Sequence, residues 1–468
     1  MNYTDGHSLK QNQLWAMLSA LLIGTLIGTM GNSIVSIALP SLMEYYSISL
    51  TQSVLSITLY TLTFSVLIPV FGSLSRKIGF RTLFTSGMAL VTVSSLLCIF
   101  SPNFTLLLIA RVGIGIGVAT VLPTIMGVIS FYFPPEIQGK ATGYWALVNS
   151  LGHAFGPSIG GFLLNHFSWK SIFWINVPLA LISILVAIKV YPADKREANR
   201  WFDWIGASLM TISVFSGMMG ISKLSDFQNH KTEIFILMIV AIIFMALLLF
   251  RESRIDNPFV NLNLFKKKNY ISSIAPISLQ AFTQFGLLVS LPVLLIDING
   301  LEKQLSGVII MSMTVMMAIT SPFAGRIVDK WSSKWMCLIG TILVGIGAIV
   351  MYLFRTTVLT TTGWITFILS LVIFGISFGI IQSGSTVAAL QATAKEMTGA
   401  ATGFFHMIRF LSASLGSTIF GIIFEMNHQN VLTGFYSTFL LIIALSLITL
   451  PFTFWIKPDA SYSNQGVN

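Results

Sequence analysis

Two arginines, Arg111 and Arg409, and two histidines, His153 and His406, stand inside stretches of this chain that are otherwise apolar. A charged side chain at the middle of a bilayer costs about 2.5–3.5 kcal/mol on insertion scales, so each arginine is expected to face a cavity or a protein partner. Imidazole changes charge near neutrality, which suits it to carrying a proton, and hydrogen-bonded packing is its other common use. His153 falls on a helical stripe with Trp145 and Asn149, and His406 on a narrow face with Thr402, Arg409, Ala413 and Gly416. Asn32, Tyr60, Gln280 and Gln284 add polar groups within apolar runs, the two glutamines on one helix face. Binding of a polar headgroup and hydrogen bonding between helices account for these four equally well. Together these nine residues are the candidates for substrate binding or proton coupling.

The stretch NSLGHAFGPSIGG, residues 149–161, raises a second kind of chemistry, that of movement. Gly152, Gly156 and Gly160 recur every four residues and share a helix face where another helix can approach closely. Pro157 removes a backbone donor and bends the helix nearby. Close packing with a bend suits a helix that rocks against its neighbour; a tight but static pair is the alternative.

The elements that position these groups follow from composition. Of 468 residues, 54% are hydrophobic and only 9% charged, and the mean hydropathy is +0.84, too little polar surface for a water-soluble fold. Apolar runs near the length needed to cross hydrocarbon recur at 14–40, 50–73, 82–101, 104–132, 141–164, 170–191, 205–223, 233–250, 271–296, 305–325, 335–354, 358–385, 399–424 and 432–456. Fourteen spans put both termini on one side. With that alternation, nineteen of the 26 Lys and Arg residues fall on the side of the termini and five opposite, with Arg111 and Arg409 inside spans, so the termini are expected in the cytoplasm. The net charge of +10 then faces an anionic inner leaflet, and nucleic acid is not needed to explain it. Met1–Gln13 is polar and short, without a cleavable signal pattern, so the first span is expected to stay as an anchor. Cys98 and Cys337 both fall within spans, which argues against a disulfide framework or a thiolate metal site.

The simplest partition is an all-α membrane protein with a six-helix unit at 1–191, a linker with two extra spans at 192–270, and a second six-helix unit at 271–468. Polar stretches at 192–200 and 251–270 flank the extra pair. A weak repeat links the two units: GSLSRKIGFR at 72–81 and GRIVDKWSSK at 325–334 each place a Gly and basic residues in a short turn.

These features resemble a known family, the fourteen-span drug:proton antiporters of the major facilitator superfamily. The Gly152, Gly156, Pro157, Gly160, Gly161 series resembles the antiporter motif of the fifth span. WKSIFWINVP at 169–178 resembles the signature entering the sixth, with Lys170 where Arg is usual. Phe202, Asp203, Gly206 and Leu209, and the segment 258–265, resemble the landmarks around the inserted pair. Arg111, Gly115 and Gly117 resemble the fourth-span motif, with Ile114 in place of Gln. The matches run from about residue 30 to about residue 330. The resemblance implies a major facilitator fold and export of amphipathic compounds in exchange for protons. It also implies coupling at Arg111 and gating at Gly152, Gly156, Pro157 and Gly160; the short turns, at Gly72, Arg76, Gly79 and Asp329, are further candidates for gating. Two positions depart from the family pattern. Gly31, in MGNSIVSIALP, stands where Asp is usual, and Arg76 stands where the first turn carries Asp, whereas Asp329 keeps the acidic residue in the second turn.

None of the sixteen acidic residues falls at the centre of a span; Asp297 and Glu425 come nearest, at span ends. A buried carboxylate is a common carrier of protons and holder of cationic drugs. Its lack turns the expectation from cations toward neutral or anionic amphiphiles. The leading reading is a secondary exporter of amphipathic small molecules working by alternating access, proton-coupled, monomeric and without a cofactor, in the cell membrane with protons and lipids as its other partners. A lipid or lipid-precursor translocator, or an exporter of anionic amphiphiles, is the alternative. No zinc spacing, nucleotide loop, serine triad or selectivity filter points to an enzyme, receptor or channel.

Overall fold

Hydrocarbon offers no partner to a backbone amide, so a chain of apolar runs must satisfy its amides inside helices. The computed structural model describes residues 11–192, 203–255, 259, 262–353, 361–392, 398–427 and 431–456, and these contain helices and no strand. In chain order they are α1 (Gln11–Tyr46), α2 (Leu50–Ile78), α3 (Phe80–Ile99), α4 (Phe104–Ala119), α5 (Val121–Tyr132), α6 (Pro135–His166), α7 (Ser171–Trp174), α8 (Asn176–Val190), α9 (Trp204–Ser222), α10 (Phe227–Glu252), α11 (Lys268–Pro292), α12 (Lys303–Leu353), α13 (Thr361–Gln391), α14 (Thr398–Met426) and α15 (Val431–Phe454).

Local chemistry sets the boundaries. Ser49 and Gln52 form a reciprocal cap at the start of α2, and Asn103 accepts from the Leu106 amide at the start of α4. The span expected at 104–132 is two helices meeting at Thr120, whose hydroxyl turns back onto the Gly117 carbonyl at 2.7 Å. The spans expected at 305–325 and 335–354 lie within α12, which the non-helical Ser332 divides into two membrane-length segments, Lys303–Gly325 and Ser332–Leu353. Many Ser and Thr hydroxyls are satisfied by carbonyls of their own helix, as at Thr25, Ser65 and Thr92, which is how so many polar atoms are tolerated in oil.

Thirteen helical segments among the described residues are long and apolar enough to cross a membrane. The remaining expected span, the fifth at 141–164, is helical as α6 but is not among them. Its asparagine, histidine and glycines dilute the apolar signal, so the count of fourteen depends on what encloses that helix. Burial contrasts sharply at the other extreme. In α10 only Ile234, Leu248 and Glu252 are buried, as fits a helix turned to lipid, whereas α11 is buried along most of its length.

Two helices knit the chain together. α6 packs on α1 and also reaches α12, while α14 packs on α11 and also reaches α2. A side chain at Gly152 would strike Thr29, one at Gly156 would strike Ser33, and one at Gly160 would lie 3.0 Å from Ile34, so the glycine face of α6 is seated against α1. Its other edge meets α12, where Gly307 lies against the Pro157 carbonyl and Gly161 against the Lys303 carbonyl. The motif at 149–161 is therefore the seam between the N-terminal and C-terminal helices.

The two short turns of the sequence repeat share a backbone feature. Gly79, seven residues after Gly72, has φ 97° and ψ 148°; Ser332, seven residues after Gly325, has φ 68° and ψ 142°. The repeat thus carries one conformation into both turns, with glycine in the first and serine in the second. Gly72 itself packs near Pro123, at 3.8 Å for an added side chain. The side chains of Arg76 and Asp329, the acidic-or-basic exchange between the turns, lie outside the described residues, as does that of Asn32.

Candidate functional site

A cavity of about 480 Å³ lies where α1, α2, α4, α5 and α6 meet α12, α13 and α14. It occupies the half of the protein nearer the face on which α1 begins and α15 ends. Contacts across the seam close the opposite half. There the Thr51 amide donates to Glu425 at 2.9 Å, the Thr58 and Thr418 hydroxyls meet at 2.9 Å, Ser414 donates to the Thr58 carbonyl at 3.2 Å, and Lys303 donates to Ser41 at 2.9 Å. Nearer the middle, Thr314 of α12 donates to the Ala154 carbonyl of α6 at 3.1 Å.

The expected stripe of α6 lines this space: Trp145, Asn149 and His153 all border it, on the edge of α6 that the glycine face leaves free. From α14 come His406 and Arg409, one turn apart. Arg409 is 4% exposed and donates from Nη2 to Gln382 of α13 at 2.9 Å. Among the described residues its buried Nε has no hydrogen-bond partner, and neither does the buried Nδ1 of His153 or of His406. Three buried nitrogens of residues that line the cavity thus lack partners among the described residues, a state that costs free energy.

One part of the wall is aromatic. Tyr60 and Phe64 stack with centroids 6.3 Å apart, Phe64 meets Phe410 edge-on at 4.6 Å, and Phe410 lies parallel to His406 at 6.4 Å. Tyr60 is held by its hydroxyl, which donates to the Gly28 carbonyl at 2.7 Å.

Arg111 and the two glutamines are placed differently from the expectation of a shared cavity. Arg111 is 1% exposed and does not border the space. Its Nε donates to the Ser56 carbonyl at 2.8 Å and Nη2 to the Gly31 carbonyl at 3.2 Å, and its guanidinium lies 4.4 Å from the Tyr60 ring centroid. It ties α1 to α2 behind the aromatic wall; carbonyls and a ring face, rather than water, compensate the charge. Gln280 and Gln284 are fully buried on α11 and hydrogen-bond each other, one turn apart, away from the cavity. Gly31, where the resembled family has Asp, sits under Tyr60: an added side chain there would lie 3.1 Å from its hydroxyl. Among the described residues bordering the cavity, none is Asp or Glu.

Gln382, Phe64 and Phe410 were not singled out by sequence. Gln382 had a signal, an amide inside the apolar run of α13; the two phenylalanines had none, being like the other apolar residues of their spans.

The family model described as Major Facilitator Superfamily matches residues 21–417 and, in a second match, 274–467. The chain belongs to that superfamily. Among curated relatives, the riboflavin transporter RibZ of Clostridioides difficile (strain 630) is 30% identical over 417 residues, covering 89% of each chain. The multidrug transporter protein MdtP of Bacillus subtilis (strain 168) is 25% identical over 425 residues, covering 91% of this chain and 78% of its own. Among solved structures, the peptide transporter POT in complex with sulfate superposes with a TM-score of 0.70 at 13% identity, covering 94% of this chain and 96% of that one. A bacterial homologue of the human lysosomal transporter Spinster, in an inward-facing and unoccupied conformation, gives 0.66 at 14% identity, covering 95% and 97%. At those identities the structures speak to the fold alone. The protein is accordingly a multi-pass membrane transporter of the major facilitator fold, and the cavity is where such a fold offers room for a solute.

Proposed function

We propose that this protein exports amphipathic small molecules across the cell membrane in exchange for protons, by alternating access of one central site. The observation that carries the reading is a cavity at the seam, bordered by helices from both ends of the chain, with polar contacts across the seam on its far side. The distribution of Lys and Arg makes the open side cytoplasmic, so solute enters from within the cell or the inner leaflet. Residues 1–191 and 271–468 are the two units that rock, 192–270 links them with the inserted pair α9 and α10, and the monomer is sufficient. Gly152, Gly156, Pro157 and Gly160 let α6 slide between α1 and α12, and the turns at Gly72, Arg76 and Gly79 and at Asp329 set the stops.

The aromatic panel and the space match a drug-sized solute, for which cavities of roughly 300–1,000 Å³ are usual. His153 and His406 are the two imidazoles that border the cavity, and we assign proton coupling to them. A flavin-class heteroaromatic is a second reading, favoured by the aromatic panel and by the likeness to a riboflavin transporter over most of both chains.

Purified protein in liposomes with an imposed pH gradient tests the reading. Accumulation of fluorescent amphiphiles or of riboflavin, driven by the gradient and lost with His153→Gln, is the expected result. No transport of any amphiphile would overturn it, and transport indifferent to the gradient would remove the proton.

A further inference from the structure

The charge of the solute can be read from what the cavity lacks. Arg409 is buried, its hydrogen-bond partner among the described residues is the neutral amide of Gln382, and its buried Nε has none there. No described residue bordering the cavity supplies a carboxylate to balance it. His406, one turn away, and His153, across the seam on α6, border the same space, each with a buried Nδ1 that has no partner among the described residues. A guanidinium with spare donors in a low-dielectric pocket attracts an anion strongly and repels a permanent cation by the same physics. Beside it runs the panel of Tyr60, Phe64 and Phe410, the last with its ring centroid 5.4 Å from the Arg409 guanidinium.

Resting on the export reading above, we propose that the solute is an aromatic amphiphile with one anionic group. The anion pairs with Arg409, assisted by His153 and His406, and the rings lie along Tyr60, Phe64 and Phe410. Gln382 is a positioning residue: its amide fixes one arm of the guanidinium beside the cavity.

A matched pair of probes isolates the charge. 8-Anilinonaphthalene-1-sulfonate and N-phenyl-1-naphthylamine share one ring frame and differ by the sulfonate. The readout is protection of a cavity cysteine, Thr386→Cys, from N-ethylmaleimide in phosphatidylcholine liposomes, at equal free aqueous probe concentration. Thr386 borders the cavity one turn from Gln382, and both native cysteines are buried. The sulfonate is expected to protect at concentrations about tenfold to a hundredfold lower than the amine, the range of a charge-assisted hydrogen bond. Arg409→Gln should remove that gap and Arg409→Lys should keep much of it. Equal protection by the pair, stronger protection by tetraphenylphosphonium, or a gap that survives Arg409→Gln would each overturn the anion assignment. So would protection that follows phosphatidylglycerol added to the vesicles rather than the added sulfonate, since the occupant would then be a lipid headgroup. If Arg409→Gln does not fold, the wild-type gap and the Arg409→Lys result decide. Protection by the amine with no gain from the sulfonate defeats this inference alone; protection by neither probe defeats the export reading as well.

Discussion

Arg111 of α4 donates to the Gly31 carbonyl of α1 at 3.2 Å, from behind the Tyr60 ring rather than from the cavity. With the second bond to Ser56 of α2, this guanidinium is a clamp holding three helices in register. Replacing it by Met removes two charge-assisted bonds but also a desolvated charge, so the net loss should be about 2–3 kcal/mol. The expected result is a lowered thermal midpoint in detergent for Arg111→Met, with the protein that survives showing the probe preference of the wild type. A changed anion-to-neutral preference would put Arg111 in the binding machinery.

The seam of α6 makes a different prediction. An alanine methyl at position 156 would collide with the Ser33 hydroxyl and lie 2.9 Å from Ser33 Cβ. Overpacking of this kind costs about 1–3 kcal/mol and here also obstructs sliding. Gly156→Ala should therefore lower the transport rate, and adding Ser33→Ala should restore part of it by removing the hydroxyl while the Cβ contact remains. The Ser33 hydroxyl otherwise makes only 3.3 Å bonds to carbonyls of its own helix, so its removal is a mild change. Liposome uptake by the single and double variants measures this, and a double variant no better than the single would refute it.

Much of this architecture was legible in the residues, and the reason differs by element. Spans such as α10 announce themselves because lipid rewards apolar side chains all round the helix, while α6 hides from a hydropathy count because protein and cavity surround it. The stripe of Trp145, Asn149 and His153 could be placed because helical period fixes which residues share a face. Arg111 and Arg409 could not be told apart, since both are isolated charges in apolar runs. Only the surroundings, two carbonyls and a ring in one case, one amide and a void in the other, distinguish a clamp from a ligand. The pairing of Gln280 with Gln284 likewise satisfied the i, i+4 spacing that had made them candidates for a ligand.

Ser332 offers a test of the repeat. Its φ of 68° with ψ of 142° is a conformation that favours glycine, which the matching turn has at Gly79. Ser332→Gly should raise stability by about 1 kcal/mol, and Gly79→Ser should lower it by a similar or larger amount. Thermal midpoints of the two variants check the pair; a stabilised Gly79→Ser would show that the turns do not share their backbone.

The start of α9 carries a pH-dependent contribution. Burial pushes the Asp203 carboxyl up, but the Arg251 guanidinium at 2.5 Å and the Gly206 amide at 2.8 Å outweigh it and hold the group below its ordinary value. A carboxyl depressed in the fold stabilises fully above the ordinary carboxylate range, and the contribution is lost as pH falls through the depressed value. Asp203→Ala should cost about 1 kcal/mol from the cap alone at neutral pH, and more from the ion pair. The gap between wild-type and variant thermal midpoints should close in strong acid, and a gap independent of pH would contradict this account.

The far-side closure makes the last prediction. Glu425 of α14 accepts from the Thr51 amide in the first turn of α2, where unpaired amides and the helix dipole both favour a carboxylate. The neighbouring contact across the seam among the described residues, between Thr58 and Thr418, is neutral. Glu425→Ala removes the charge and leaves the amide to water, so the closed arrangement should lose about 1.5–3 kcal/mol relative to the opposite one. That corresponds to a population shift on the order of tenfold to a hundredfold. Spin labels at the exposed far-side residues Tyr45 and Met426 would report it as a longer-distance population that grows in the variant. Combining Glu425→Ala with Lys303→Met, which also removes the bond to Ser41, should enlarge that population further. A distance distribution identical to wild type in the double variant would mean that helix packing, and not these two polar latches, keeps the far side shut.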